Sequence, residues 1–216
     1  GWIKQKYNNL KSLILILVLS CIINILIYSF FKSYNLISNL IIISSLFLIL
    51  HSLKELLNKS KTKLYFNFAS FLSHIGFGIL IFFIILNHNF SREYDLNIKV
   101  GETKKIGDME INFKDLKIEK RENYNVIIGN FNIFDLKKNY EKKLEPEIRI
   151  YDNPQTLTFE SAIKTNFKQD LYLTMSNIDG SEFYNVKFQT KPFMLWIWLA
   201  AFLTASGGLF RIFKKK

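Results

Sequence analysis

Long uncharged hydrophobic stretches alternate with polar segments along this chain of 216 residues. Four of the stretches are long enough to span a bilayer, because a helix needs about 20 mostly apolar residues to cross the hydrocarbon core. Lipid offers the backbone no hydrogen-bond partners, so a spanning segment of this kind is expected to be helical. The pattern predicts transmembrane helices at 12–31, 34–53, 66–87 and from residue 192 onward.

The segment between the third and fourth helices, residues 88–191, has a different pattern. Charged residues occur throughout it, and short runs of alternating or β-branched and aromatic residues predict strands. The predicted strands are Asp95–Val100, Met109–Lys117, Val126–Phe134, Glu147–Tyr151, Leu171–Ile178 and Phe183–Gln189. Asp179-Gly180 supplies the turn between the last two strands, whereas Glu160–Phe167 is predicted to be a short helix capped by Thr158.

These elements predict a membrane protein of four transmembrane α-helices. A small, mostly antiparallel β domain or partial barrel is inserted between helices 3 and 4. We expect residues 1–87 to form the three-helix membrane segment, 88–191 the β domain, and 192–216 the fourth helix with a basic tail.

The formal charge of +11 belongs entirely to the membrane part. Residues 92–191 hold 17 basic and 17 acidic side chains, and the rest of the chain holds 12 basic residues against Glu55. Eleven of the twelve fall on one side of the predicted topology, and only Lys32 falls on the other. Because loops rich in Lys and Arg stay cytoplasmic, we expect a multi-pass protein of the bacterial or mitochondrial inner membrane. Its β domain would face the periplasm or intermembrane space.

Several other classes of protein are disfavoured. Nucleic-acid binding would require a basic face on the soluble domain, and its charge is balanced. The first hydrophobic stretch is too long for a secretory signal and lacks a small-residue cleavage site. Cys21 is the only cysteine, so no disulfide framework or thiol pair is expected. The chain begins with Gly1 instead of Met, and we expect a piece of a longer protein or a processed product.

The soluble domain shows no pattern typical of a catalytic centre. Between Arg92 and Lys191 there is no histidine, no glycine-rich phosphate loop and no metal-ligand spacing, which disfavours a soluble hydrolase or metalloenzyme. We interpret the many carboxylates and lysines as a solvated surface.

His74 is the candidate for chemistry, because it lies in the middle of the third hydrophobic stretch. Ionisable side chains in spanning helices are rare and usually mark a ligand site, a relay or a pathway. Ser70, His74 and Gly78 are spaced by four residues and share a helix face. Small residues beside a histidine would let a planar group such as haem approach, and imidazole is a common axial ligand of its iron. The alternative is a histidine hydrogen-bonded to a neighbouring helix, and this helix alone does not decide between them.

The other features of the helices are less specific. His51 and His88 lie near helix ends, where a histidine can simply meet water. In the fourth helix, Ala200, Thr204 and Gly208 form a stripe of small residues at four-residue spacing. Such a stripe permits close helix packing.

A series of short segments along the chain carries a resemblance to one family. They are Ser73-His74-Ile75-Gly76, Asn123-Tyr124, Leu144-Glu145-Pro146-Glu147-Ile148-Arg149-Ile150-Tyr151, Phe159-Glu160-Ser161-Ala162-Ile163, Asp170-Leu171-Tyr172-Leu173, Lys191-Pro192-Phe193, Trp196-Ile197-Trp198-Leu199-Ala200 and Gly207-Gly208. In this order and topology they resemble the C-terminal part of the CcmF family, the membrane haem lyases of the system I cytochrome c maturation pathway. The first fifty or so residues match by hydropathy only.

The chain departs from the usual family pattern at two places. Ile148 stands where an arginine is common, and Phe159-Glu160-Ser161 replaces a run of the Thr-Glu-Ala type. We therefore expect a packing or salt-bridge role for Glu147, Arg149 and Glu160.

The resemblance implies a lyase that joins haem vinyl groups to the two thiols of an apocytochrome c motif at the outer membrane face. It also implies a separate b-type haem within the membrane, held by two helix histidines and supplied with electrons from quinol. His74 matches one of those histidines. Ser70 and Gly78 would then allow the close approach of haem b.

The family's tryptophan-rich haem segment, its flanking histidines and its second membrane histidine have no counterpart in this chain. By resemblance the chain is part of a holocytochrome c synthase, and it is not expected to form thioether bonds alone. Implied partners are the remainder of the lyase or a companion subunit supplying the second histidine, the haem chaperone CcmE, a CcmH-type thiol partner and apocytochrome c, within membrane lipid.

Two other functions stay open. In one, the chain is a structural or chaperone subunit that docks apocytochrome or a haem carrier through its β domain. In the other, it is a cytochrome b-like electron carrier without lyase activity.

Overall fold

The chain folds into two compact units, one of helices and one of strands. A computed structural model describes residues 2–31, 35–58, 68–136 and 140–213. Gly1–Phe90 and Phe193–Lys216 form the helical unit, and Ser91–Pro192 form the β unit. The predicted fold class is confirmed, because the β strands are inserted between the third and fourth of four long helices.

The described residues of the helical unit form four helices. They are α1 (Trp2–Phe31), α2 (Leu36–Asn58), α3 (Phe68–Phe90) and α4 (Met194–Phe213). Each contains a stretch of 19 to 23 residues that is long and apolar enough to cross a bilayer. The loop lysines at 32, 59, 61 and 63 and the tail lysines at 214–216 lie outside the described residues. α3 packs against both α2 and α4, whereas α1 packs against α2.

Ten strands are formed by the part of the β unit that the structure describes. They are β1 (Arg92–Ile98), β2 (Thr103–Ile106), β3 (Met109–Lys120), β4 (Tyr124–Asp135), β5 (Tyr140–Leu144), β6 (Glu147–Asp152), β7 (Gln155–Glu160), β8 (Ala162–Thr165), β9 (Gln169–Asn177) and β10 (Tyr184–Pro192). One sheet has the order β1-β10-β9-β8, and the other has the order β2-β3-β4-β6-β7 with β5 also paired to β4. All described strand pairs are antiparallel.

The two sheets pack face to face, so the domain is a sandwich and not a partial barrel. Phe113 and Phe131 stack with ring centroids 4.1 Å apart, and both side chains are fully buried. From the other sheet come Leu173, Met175, Val186 and Phe188, all of them buried. Alternating residues of both sheets thus form one core, as expected for sheets that pack face to face.

The predicted hairpin near the end of the domain is confirmed. β9 and β10 pair from Asn177 opposite Tyr184 to Gln169 opposite Pro192. Gly180 lies in the connection with a φ of 70°, a conformation that glycine adopts without steric cost.

The predicted helix at Glu160–Phe167 is wrong. Glu160 ends β7, and β8 pairs with β9 so that Ala162 lies opposite the buried Leu173. Thr158 does not cap a helix; its hydroxyl lies 3.3 Å from a carboxylate oxygen of Glu160. Pairing with the free edge of β9 outweighs the weak local preference for helix, which is small for each residue.

Candidate functional site on the third helix

One side of α3 is packed tightly against α4 through small residues. A Cβ atom built on Gly76 would lie 2.7 Å from the backbone nitrogen of Thr204. A Cβ atom on Gly207 would lie 2.5 Å from the backbone nitrogen of Ser73. The predicted stripe of α4 is therefore correct for Thr204 but wrong for Gly208, which has open space beside it. The two backbones approach as closely as small residues allow.

A second side of α3 is covered by α2. A Cβ atom on Gly78 would lie 2.8 Å from Cγ1 of Ile49 and 3.4 Å from the carbonyl oxygen of Ser45. Gly78 is buried in this contact. The close approach that it permits is to a neighbouring helix, so it offers no free surface for haem in this bundle.

The third side of α3 is open, and it carries His74. His74, Phe77, Ile84 and His88 are all exposed, and their separations of three, seven and four residues place them along one stripe of a helix. Ile81, half-buried, continues the same stripe. With a rise of about 1.5 Å per residue, the two histidines lie roughly 21 Å apart along the axis. Neither α2 nor α4 covers this stripe.

The His74 imidazole has no hydrogen-bond or ion-pair partner among the described residues. The interpretation of His74 as a histidine bonded to a neighbouring helix therefore has no support in α1, α2 or α4 as described. Ser70 lies one turn earlier on the same side and is half-buried, with contacts of its own. The structure thus places Ser70 and His74 on a common face but separates Gly78 from them.

Other polar side chains of the helical unit do find partners. Asn24 of α1 donates to Asn39 of α2 at 3.0 Å, and Ser38 of α2 lies 3.3 Å from Oδ1 of Asn89 of α3. These contacts tie three helices together near the same end. By contrast, the exposed imidazole of His74 stands apart from this network.

The two remaining histidines have surroundings that explain them without a ligand. His51 stacks on Phe47 with ring centroids 6.1 Å apart, and its Nδ1 lies 3.9 Å from Oε1 of Glu55. His88 lies in the last turn of α3 and is exposed.

The β unit holds no comparable centre in the described ranges. No group of three or more His, Cys, Asp or Glu residues there or in the helices is placed to hold a metal ion. Arg149 instead forms a structural cluster: its Nη2 and Nε donate to Oε2 of Glu147 at 2.7 and 2.8 Å. Its guanidinium also lies over the ring of Tyr124 at 5.3 Å. The expected salt-bridge role of Glu147 and Arg149 is the one observed.

Similarity to known proteins agrees with this architecture. Residues 89–192 match the family model described as the CcmF C-terminal beta-sandwich. The cytochrome c-type biogenesis protein CcmF of Haemophilus influenzae is 31% identical over 67% of this chain and 22% of its own length. The protein of the same name from Escherichia coli is 28% identical over 65% of this chain and 22% of its own length.

A solved structure, cytochrome c heme lyase CcmF, has the same fold. It superposes with a TM-score of 0.72 at 16% identity, over 93% of this chain and 34% of that one. The chain therefore spans about a fifth of the length of the curated relatives that it matches. Both the helices and the sandwich are included in the structural match. On these similarities, the chain belongs to the CcmF family of cytochrome c-type biogenesis proteins and corresponds to their C-terminal part.

Proposed function

We propose that this chain is the C-terminal part of a membrane haem lyase and supplies one axial ligand, His74, to a b-type haem in the membrane. The observation that carries the proposal is an exposed imidazole on the apolar helix α3, six residues after its first residue, without a partner among the described residues. An unpaired polar group is costly in hydrocarbon. A ligand or partner on the open face of α3 would remove that cost.

The residues around His74 fit a haem. The imidazole can offer a nitrogen lone pair to iron, and the exposed Phe77 beside it offers an apolar surface for a macrocycle edge. The close contact of Ser73 with Gly207 fixes the backbone that carries His74. A haem held by two imidazoles would supply one-electron transfer at this position. His74 would hold the iron and set its orientation.

The second imidazole would come from a helix outside this chain, in the remainder of the lyase or in a companion subunit. The open stripe on α3 is where such a helix would pack. We further propose a quinol as electron source and a haem chaperone of the CcmE type, a CcmH-type thiol protein and apocytochrome c as partners. The β domain would face the periplasm or intermembrane space, because the basic residues gather at the opposite helix ends.

The test is a reduced-minus-oxidised absorption spectrum of the purified full assembly, with His74→Ala compared to wild type. We expect loss of the b-type signal and of covalent haem attachment to apocytochrome. His88→Ala, on the same open stripe, is the matched control and should retain both. An unchanged spectrum with normal maturation in His74→Ala would rule out the ligand assignment.

A second function is favoured by one feature of the β unit, namely docking of apocytochrome or a haem carrier without a haem of its own. β7 is an edge strand, and its Leu157 and Phe159 are 45% and 43% exposed. Phe159 lies opposite the buried Ile148 of β6. Its side chain therefore continues the apolar face of the sheet to the edge, where it stays partly exposed. An edge with alternating exposed apolar residues can pair with an extended peptide.

The two functions predict different phenotypes. A docking subunit should lose apocytochrome crosslinking in Phe159→Glu while His74→Ala has no effect on maturation. A haem-ligating chain should lose maturation in His74→Ala whether or not Phe159→Glu weakens crosslinking.

A further inference from the structure

A groove between α1 and α2 has no role in the proposed haem site. Its volume is about 360 Å³, and it is lined by Leu13, Ile14 and Leu17 of α1 and by Ile43, Ser44 and Phe47 of α2. This volume lies within the range of sites that bind small molecules, about 300–1,000 Å³. The Ser44 hydroxyl donates to the carbonyl oxygen of Leu40 at 2.8 Å, so the groove offers little hydrogen bonding.

The groove opens sideways, into the surroundings of the helices. Leu13, Ile14 and Leu17 are 37%, 53% and 46% exposed. In a membrane-spanning hairpin this opening meets lipid tails. An apolar chain lying in the groove would contact both helices at once.

One end of the groove carries positive charge. The Lys54 ammonium of α2 donates to the hydroxyl of Ser12 of α1, and Ser12 directly precedes the first groove residue. Lys54 lies seven residues, two helical turns, beyond Phe47 and therefore on the same side of α2. Lys11 lies beside Ser12 in the chain. Both lysines are thus near one end of the groove. At this end the apolar stretch of α1 begins and the apolar stretch of α2 ends.

The opposing charge at this end is small. Glu55 is the one acidic residue of the sequence outside the β domain, and its carboxylate lies 3.9 Å from the His51 imidazole. This end of the groove therefore carries a net positive charge. Basic pockets between transmembrane helices at the membrane surface recognise anionic lipid headgroups.

We propose that this groove binds an anionic phospholipid, with an acyl chain along Leu17 and Phe47 and the phosphate at Lys54. The apolar lining selects the chain, and the ammonium selects the charge of the headgroup. A zwitterionic lipid offers the same chain but a cation next to its phosphate, which weakens the attraction to Lys54.

The proposal is tested by native mass spectrometry of the full protein in mixed micelles containing phosphatidylglycerol or phosphatidylcholine. Wild type should retain phosphatidylglycerol in preference to phosphatidylcholine. Lys54→Gln should lower phosphatidylglycerol retention about fivefold, the effect of one basic residue near a membrane surface. Arg211→Gln, at the end of α4, is the control and should retain it as wild type does.

A second pair of variants tests the groove itself, in case Lys54→Gln disturbs the contact with Ser12. Leu17→Trp fills the groove and should displace the lipid, whereas Ile22→Trp, at a residue of similar exposure outside the lining, should not. Equal retention of the two lipids by wild type would overturn the proposal. So would full phosphatidylglycerol retention in Leu17→Trp. Neither result would bear on the haem spectrum of His74.

Discussion

Gly207 of α4 lies against the backbone of Ser73 in α3, with room for a hydrogen and no more. A Cβ atom at Gly207 would be 2.5 Å from the Ser73 nitrogen and 2.8 Å from the carbonyl oxygen of Ala69. Because both neighbours are backbone atoms of a helix, they cannot rotate away. Ser73 precedes His74, so this contact also sets the position of the candidate ligand.

Gly207→Ala should therefore push α3 and α4 apart. Overpacking of a tight interface costs about 1–3 kcal/mol, and we expect a lower thermal unfolding temperature in detergent together with a weakened b-type signal. Gly208→Ala is the matched control, since nothing lies within 4 Å of its Cβ position. Equal stability of the two variants would contradict the close contact.

Gly78→Ala should have a milder effect than Gly207→Ala. The closest atom to the added methyl group is Cγ1 of the Ile49 side chain at 2.8 Å, and the nearest backbone atoms lie at 3.4 Å. A side-chain atom can move where a helix backbone cannot. Thermal unfolding of both variants in the same detergent measures which substitution lowers the unfolding temperature more. A larger decrease for Gly78→Ala would show that α2 is the more rigid neighbour.

The helices were predictable from hydropathy, but their packing faces were not. Gly207 and Gly208 are adjacent glycines that point about 100° apart around the helix. Only the position of α3 decides which of them is buried. Gly78 shares its four-residue spacing with His74, yet α2 covers Gly78 and leaves His74 exposed. The heptad-like spacing of His74, Phe77, Ile84 and His88 was the available signal for the open stripe.

In the β domain, strands with clear apolar alternation were predicted and short ones were missed. β4, a strand of twelve residues, was predicted because it is rich in β-branched and aromatic residues. β2 and β8 have four residues each, too few for a periodic pattern. β7 and β8 depend on pairing with β6 and β9, distant partners that local preference does not reveal.

Asp170→Asn should stabilise the β domain at neutral pH. Asp170 is 5% exposed, and burial raises the pKa of its carboxyl group. An acid with a raised pKa in the folded state binds protons more tightly there, so stability falls as pH rises from the unfolded pKa through the folded one. The folded protein at pH 7 therefore bears the cost of a buried carboxylate, and asparagine removes it.

Unfolding followed by circular dichroism at pH 7 and near pH 4 measures this difference. The gain of Asp170→Asn over wild type should be largest at pH 7 and shrink as the pH falls through the raised pKa of the carboxyl group. Asp152→Asn, at an exposed residue, should leave the stability unchanged at both pH values. A destabilised Asp170→Asn at pH 7 would show that the hydrogen bond to Thr165 and the attraction of Lys142 outweigh the cost of burying the charge.

The proposed orientation of the β domain can be tested with cysteine labelling. Ser181 lies exposed in the connection between β9 and β10, and the natural Cys21 lies within the apolar stretch of α1. Ser181→Cys in a Cys21→Ser background should react with a membrane-impermeant maleimide added to intact cells or spheroplasts. Labelling that requires membrane disruption would place the domain on the other side.

Replacing Arg149 should weaken the sandwich and leave the haem signal intact. Its guanidinium bonds Glu147 and lies over Tyr124, and the hydrogen bond to Glu147 raises the pKa of Arg149 further above its ordinary value, so it stays charged. The side chains of Arg149 and Glu147 are 30% and 27% exposed, which limits such a pair to about 1 kcal/mol or less. Arg149→Met keeps much of the aliphatic contact but loses the charge, and Arg149→Lys keeps the charge but loses the planar fork.

Both Arg149 variants should lower the unfolding temperature modestly, and the deficit of Arg149→Met should shrink in high salt, because partly exposed pairs are screened. The reduced-minus-oxidised spectrum should match wild type in each. Loss of covalent haem attachment in Arg149→Lys at unchanged stability would instead assign the guanidinium a part in the reaction or in partner binding. The lysine variant is decisive, because charge alone then fails to replace the two guanidinium donors that meet one oxygen of Glu147.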